Sequence, residues 1–451
     1  MVRSTWQARR QILGMWSLLG LALSGALPAT VSAQALTPEA PAFAASAGLP
    51  TDAVYARAQA EVNPFLSSLQ ALVGIESGSQ DLEGLDRAAA WVHAQLQQAG
   101  MQVQTLPAHA PAKSGQGQGA RVGSMVLGRL QGQGQKKVLL IAHMDTVYPR
   151  GMAAQQPFRI EDGKAYGLAI ADDKSGVALI LHTVRLLQAM DFRDYAELAV
   201  LINGDEEIGS PGSRALLTQL GSEFDAVLSY ESGGGERDIV RLATSALASV
   251  EMTVTGRAAH AGANPQAGRN ALYEMAHQVL KSRQFGDPAR GLRIQWTVAR
   301  SGEVRNVIPE SAVAWADVRA DHQADMDAME QALRTSIQDK LLPDTQITLN
   351  FQRGRPAFVA NEASRAMARH AQSLFQAMQW PLQVAERPLG GGTDAAYAAL
   401  RARGGVLEGM GLRGYGAHAN QREYIHLASI APRLYLSTRM VMDIGSGQVR
   451  W

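Results

Sequence analysis

K-V-L-L-I-A-H-M-D, residues Lys137 to Asp145, is an apolar run that stops at a histidine and, two residues on, an aspartate. A Gly/Gln turn region (Gly132 to Gln135) precedes it and Pro149-Arg150-Gly151 follows. A continuous apolar run so bounded reads as a strand buried on both faces, as in a parallel sheet. His143 and Asp145 then stand at its carboxyl end, the edge at which open α/β sheets bind ligands. The i, i+2 spacing puts both side chains on one side of the strand. His143 can thus hold a metal through one ring nitrogen while Asp145 fixes the other, or it can be a buried histidine hydrogen-bonded to an acid without any metal.

Downstream, Phe158 to Tyr166 carries two short strand-like runs around Asp162-Gly163, a hairpin signal. It leads to G-L-A-I-A-D-D-K-S-G (Gly167 to Gly176) and a helical run, Val177–Met190. Asp172 and Asp173 enter that helix, where such residues either cap it or bridge two metals. Tyr195 to Asn203 is a second apolar strand and ends in G-D-E-E-I-G-S. Successive acids at the end of a buried strand repel one another unless positive charge sits among them; otherwise the segment is a solvated loop. A third strand, Phe224 to Tyr230, ends at Glu231. Three strands and a turn thereby send His143, Asp172, Glu206, Glu207 and Glu231 toward one edge. A set so rich in carboxylates suits hard or borderline divalent ions, and a co-catalytic zinc pair is the expected hydrolytic use.

Upstream, Val54–Val73 and Leu85–Gly100 have helical patterns, the second closed by Gly100 as a C-terminal cap would close it. Ala110 to Arg121, rich in Gly and Gln, reads as a loop. Arg3, Arg9 and Arg10 precede an apolar segment, Ile12 to Leu27, and small residues ending Val31-Ser32-Ala33. Residues 1–33 are therefore expected to be a signal peptide, cleaved after Ala33 or Ala35, and 34–51 a flexible lead-in. Arg9-Arg10 fits either a twin-arginine or an ordinary export signal, so the protein is expected to be exported, periplasmic or secreted. No other stretch approaches the ~18 apolar residues of a membrane span, so no membrane association is expected after cleavage.

The chain has 451 residues, 46% of them hydrophobic, enough for two or more domains. A net charge of +1 without a basic run gives no indication of nucleic-acid binding. The absence of cysteine excludes disulfides and thiolate ligands, leaving His, Asp and Glu to hold any metal. From Ala246 the pattern changes: L-A-S-V-E-M-T-V-T alternates apolar and polar residues, as a half-exposed antiparallel strand does. A helix (Asn270–Arg283), strands (Leu292–Arg300, Ala312–Arg319), a helix (Met326–Leu341) and a strand (Gln346–Gln352) complete a βαββαβ unit. The expected organisation is a catalytic domain in two parts, 52–245 and 357–451, interrupted by an α+β domain, 246–356. Strand Ser249 to Thr255 is expected to pair edge to edge with a second copy. Helices are expected at Ala363–Met378, Ala395–Arg401 and Ala431–Ile444. His418, in the Gly-rich segment G-Y-G-A-H-A-N-Q-R-E-Y-I, is either a surface or a site histidine.

Together, H-M-D-T-V (143–147), G-L-A-I-A-D-D-K-S-G (167–176), D-E-E-I-G-S (205–210), S-Y-E (229–231), G-G-G-T-D-A-A-Y (390–397) and H-A-N-Q-R-E-Y (418–424) closely resemble the zinc-dependent aminoacylase and carboxypeptidase superfamily. The likeness is greatest to the glutamate carboxypeptidase (carboxypeptidase G) type and runs in order from about Val54 to the C-terminus.

The resemblance implies a di-zinc aminopeptidase-like α/β catalytic domain, its mixed, largely parallel sheet lying between helices, with an inserted dimerisation or lid domain. It implies two zinc ions per subunit, one held by His143 and Glu231, the other by Glu207 and His418, with Asp172 bridging. It further implies that Asp145 orients His143, that Glu206 is the general base of amide hydrolysis, and that the Asp172-Asp173 peptide is cis. His260 would reach across a homodimer to the substrate carbonyl. Asn306, Arg319, Arg355 and Gly391 would hold a small peptide or N-acyl amino acid by its carboxylate, a task suited to the planar fork of arginine.

Glutamate-specific relatives carry a lysine eight residues after the Glu231 position, where this chain has Ile239, with Arg237 and Arg241 nearby. Either an arginine replaces that lysine or the pocket takes an apolar side chain. The rival functions are an aminoacylase on the same metal site and a non-catalytic binding protein. An intact Glu206 and five ligand positions weigh against the second, since a binder requires no general base.

Overall fold

Strand Lys137–His143 lies inside a six-stranded sheet in the computed structural model, which describes residues 52–111, 119–419 and 422–451. The expected signal peptide and lead-in lie outside the described residues, as does 112–118 of the expected loop. Ten strands build the two main sheets: β1 (Gln102–His109), β2 (Arg121–Gln131), β3 (Lys137–His143), β4 (Glu197–Gly204), β5 (Ala226–Ser229), β6 (Ala246–Thr255), β7 (Arg293–Ser301), β8 (Ser311–Ala320), β9 (Gln346–Arg353) and β10 (Gly405–Leu407). The first sheet runs β1-β2-β4-β3-β5-β10 and the second β7-β8-β6-β9.

In the first sheet β3 is parallel to both β4 and β5, and β5 to β10. Helix Ser175–Ala189 connects β3 to β4, and helix Arg214–Glu223 connects β4 to β5. Helical cover on both faces explains why every residue of β4, and β3 from Val138 onward, is buried. The strands β1 and β2 extend the sheet in antiparallel fashion and were not expected from the sequence. Two glycines at the β2/β4 contact are needed for the close backbone approach: a Cβ on Gly123 would come 2.0 Å from the carbonyl oxygen of Gly204. These elements, with helices Glu362–Ala377 and Ile430–Gly445, share one large apolar core.

Smaller expectations hold locally. Asp162 and Gly163 turn the hairpin with φ of 49° and 72°, and Gly100 closes helix Leu82–Gln98 with φ of 83°. The pattern over Val54–Val73 resolves into two helices, Ala53–Ala60 and Val62–Val73.

The second sheet is entirely antiparallel and has the βαββαβ order, with helices Ala271–Ser282 and Gln323–Ser336 packed on it. Its own apolar clusters contain Val250, Val318 and Leu333 in one, and Met252, Val254 and Met275 in the other. The catalytic domain thus carries an inserted α+β domain. One expectation is corrected. The strand containing Ser249 to Thr255, β6, is not an edge: it is paired along its length with β8 on one side and β9 on the other. Both rows of its backbone hydrogen-bonding groups are spent within the chain, leaving β7 and β9 as the edges.

Candidate metal centre

The carboxyl ends of β3, β4 and β5 open onto one site. His143 is the last residue of β3 and is 1% exposed. Its Nδ1 donates to the carbonyl oxygen of Asp145 at 3.1 Å, so that in the neutral imidazole Nε2 is the nitrogen that offers a lone pair to an ion. That Nε2 lies 3.0 Å from Asp172 Oδ1 and 3.6 Å from Glu231 Oε1. On the far side of Asp172, Oδ2 lies 3.3 Å from His418 Nε2, which is 3.2 Å from Glu207 Oε2. Two donor clusters therefore share one carboxylate: His143, Asp172 and Glu231, and Asp172, Glu207 and His418. Within each, the donor atoms lie within 4.8 Å of one another.

The local folding explains this convergence. After β3 the chain turns so that the Asp145 carboxylate accepts from the backbone N–H groups of Glu206 (2.9 Å) and Glu207 (3.1 Å) and from Ser79 Oγ (2.8 Å). One buried acid thus aligns the histidine of one cluster with the glutamate of the other. The Asp172-Asp173 bond is cis. Neither aspartate caps the helix that follows: Lys174 is the N-cap residue, without a side-chain cap. Instead the turn is held by Glu423, whose carboxylate accepts from the backbone N–H of Ala169 (3.0 Å), Ala171 (2.8 Å) and Asp172 (3.1 Å) and from Tyr148 Oη (2.7 Å). Glu423 stands five residues beyond His418 inside a quoted motif. Its only signal in the sequence is an acid beside the site histidine.

Electrostatics show what the cluster lacks. Burial and the charge of Asp172 push the Glu231 carboxyl well above the usual range, and burial does the same to Glu206 against the pull of Arg355 and His143. Burial alone would keep His143 neutral, yet hydrogen bonds with Asp145 and Asp172 lift it well above its ordinary value. Hydrogen bonding to Asp172 and Glu207 raises His418 to about 10. Glu207 Oε1 is buried with no hydrogen-bond partner among the described residues. Converging oxygen and nitrogen donors with excess negative charge and an orphaned carboxylate oxygen fit divalent cations, which would supply the missing positive charge.

The other expected residues divide. Glu206 is 5% exposed and its Oε1 lies 2.7 Å from Arg355 Nη2. Gly391 lines a cavity of about 250 Å³ beside Asp172 and Glu231, together with Ser232, Arg241, Thr244 and Leu389. Arg319 reaches from β8 to the carbonyl oxygen of Gly390. His260 pairs with Val307 on a short two-stranded ribbon of the inserted domain, and Asn306 stands in the turn just before that strand, where Ala261 N donates to Asn306 O. Among the described residues, no hydrogen bond or ion pair joins His260 to the two donor clusters; its Nδ1 accepts from the N–H groups of Gly262 and Ala263.

The sequence profile described as Peptidase family M20/M25/M40 matches residues 139–443. Carboxypeptidase G2 of Pseudomonas sp. (strain RS-16) is 42% identical over 383 residues, 85% of this chain and 90% of that protein. Succinyl-diaminopimelate desuccinylase of Xanthomonas oryzae pv. oryzae (strain PXO99A) is 29% identical over 59% of this chain and 74% of its own length. Among solved structures, an aminopeptidase PepT from Bacillus cereus superposes with a TM-score of 0.70 at 18% identity, covering 85% of this chain and 98% of its own. An M20 family metallo-carboxypeptidase from Sulfolobus solfataricus gives 0.64 at 15%, covering 84% and 98%. At such identities these two establish a common fold.

Proposed function

We propose, from the premise that the chain belongs to peptidase family M20/M25/M40 and is a metallo-carboxypeptidase, that it is a di-zinc enzyme releasing a C-terminal glutamate from peptidyl, N-acyl or folate-type substrates. The observation carrying this reading is the pair of donor clusters joined through Asp172. His143, Asp172 and Glu231 would hold one ion, and Asp172, Glu207 and His418 the other. Two such ions would supply Lewis acidity at the scissile carbonyl and acidify water.

The remaining work falls to side chains. Asp145 keeps His143 in the tautomer that presents Nε2. Glu206 takes the proton of the attacking water and returns it to the leaving nitrogen. Arg319 and Gly391 serve the substrate carboxylate. In the cavity beside Asp172, Arg241 takes the place of the missing lysine: it follows Ile239 by two positions on the short strand Ile239–Arg241, so both face the same way. Arg237 is exposed and does not line that cavity. Preference for an apolar residue, as in an aminoacylase, is the second reading; Leu389, Ala243 and Ala417 in the same cavity favour it.

We assign His260, with the neighbouring Asn306, to the partner's site in a homodimer; that His260 makes no hydrogen bond or ion pair to the donor clusters among the described residues of its own chain supports this reading. Export through residues 1–33 is part of the same reading. No helix among the described residues is long and apolar enough to cross a membrane.

The test is a zinc-loaded assay on matched acyl amino acids ending in Glu, Asp, Phe, Leu and Ala, including a benzoyl-glutamate. Glu should lead the panel, and Glu206→Gln should keep both zinc ions while turnover falls by at least about a hundredfold. A lead for Leu or Phe would transfer the protein to the second reading; full turnover in Glu206→Gln would remove Glu206 from its role.

A further inference from the structure

Arg355 is 8% exposed, in the connection by which the chain leaves the inserted domain after β9. Its backbone is fixed against the outgoing crossing, where Leu247 N donates to Arg355 O at 2.9 Å and Gly354 N to Leu247 O at 2.9 Å. Its guanidinium is committed to the protein through Nη2, while Nε is buried without a hydrogen-bond partner among the described residues. Nη2 donates to the backbone carbonyl of Glu206, lies 2.7 Å from that residue's Oε1, and approaches Ser210 Oγ at 3.4 Å. Nε is turned toward Asp394 Oδ1 at 3.9 Å. Asp394 is itself clamped, accepting from Ser210 Oγ and from Asn203 Nδ2, the latter at 2.7 Å.

An arginine that grips a carboxylate presents two parallel N–H groups along one edge of its fork. Both such edges of Arg355, Nε with Nη2 and Nη1 with Nη2, include Nη2, which is taken by Glu206. Nη1 and Nε remain, on different sides of the guanidinium, and cannot make the fork without Nη2. Resting on the reading of Glu206 as general base, we propose that Arg355 is a positioning residue for Glu206 and not a ligand of the substrate carboxylate. It holds Oε1 and the backbone of Glu206 so that the second carboxylate oxygen is kept for proton transfer. The bracing chain is Asn203, Asp394, Arg355, Glu206, running from the end of β4 to the catalytic acid. Because Arg355 stands in the crossing between domains, the placement of the acid is tied to the connection that carries the inserted domain.

Steady-state kinetics of the full-length, zinc-loaded enzyme distinguish the two roles. Arg355→Gln should lower kcat about a hundredfold, the scale of general acid–base catalysis, while KM stays within about threefold and both metal ions remain bound. Arg355→Lys, which restores charge and one donor, should recover part of that kcat. Asp394→Asn preserves shape beneath the guanidinium and supplies the same comparison should Arg355→Gln fold poorly: a fall in kcat at unchanged KM is expected. A KM raised tenfold or more at unchanged kcat, in either variant, would make Arg355 a substrate ligand and overturn the proposal. Glu206→Gln measured alongside separates the layers. Full turnover there ends the role of Glu206 and this proposal with it, whereas an inactive Glu206→Gln beside a KM-only Arg355 variant ends this proposal alone.

Discussion

The two sheets of this protein bear opposite relations to water. In the first, β4 is buried at all eight positions; in the second, β6 alternates, with Ala248, Val250, Met252 and Val254 buried and Ser249 and Thr255 exposed. A strand covered on both faces has only its ends available for chemistry, and the ends of β3, β4 and β5 are where His143, Glu206, Glu207 and Glu231 emerge. A sheet with one wet face can offer that face and its edges to another surface. The buried sheet is suited to holding charge in a low-dielectric site, the half-open one to positioning and contact.

The contrast is most sharply tested by removing metal. Chelation should abolish hydrolysis altogether and lower the melting temperature, because the acids at the end of the buried sheet lose their compensating charge; activity surviving complete metal removal, checked by elemental analysis, would break the comparison. On reloading, protons should be released at neutral pH. His418, held near 10 by Asp172 and Glu207, carries a proton there that an ion must displace, so metal affinity should fall as the solution is acidified. Calorimetric titration in buffers of different ionisation enthalpy measures the number released.

Packing gives the next effect. Leu140→Ala in β3, covered on both faces, should cost about 2–5 kcal/mol in denaturant unfolding. Val250→Ala in β6 removes less, about 1.6 kcal/mol at ~0.8 kcal/mol per buried methylene. Equal costs would mean that the second sheet is as tightly enclosed as the first. Smallest of all, Ser249→Thr on the wet face should shift stability by no more than about 0.5 kcal/mol. A loss beyond 2 kcal/mol would place that face under a covering surface.

The same contrast governs what could be read from the sequence. Uninterrupted apolar runs announced β3 and β4 and strict alternation announced β6, because each periodicity is imposed by how many faces are covered. β1 and β2 escaped notice for physical reasons. Q-V-Q-T-L-P-A-H contains a proline and has few apolar residues, its face being largely exposed. In β2 the glycines that resemble turn residues are there for backbone contact, as at Gly123 against Gly204. The placing of β6 inside its sheet could not be foreseen, since pairing order depends on distant strands. The residues that converge on Asp172 lay in quoted motifs, whereas the bracing roles of Arg355, Asp394 and Glu423 arise only from side chains brought together across the fold.

Glu423 has a consequence for how the metal centre comes apart. Its segment carries His418, and its carboxylate grips the backbone that presents Asp172. Whatever pulls this loop outward withdraws the exposed histidine of one cluster and unseats the aspartate shared by both. The two ions proposed above would therefore share a single latch: closed, it would retain both, and open, it would favour loss of both over retention of one.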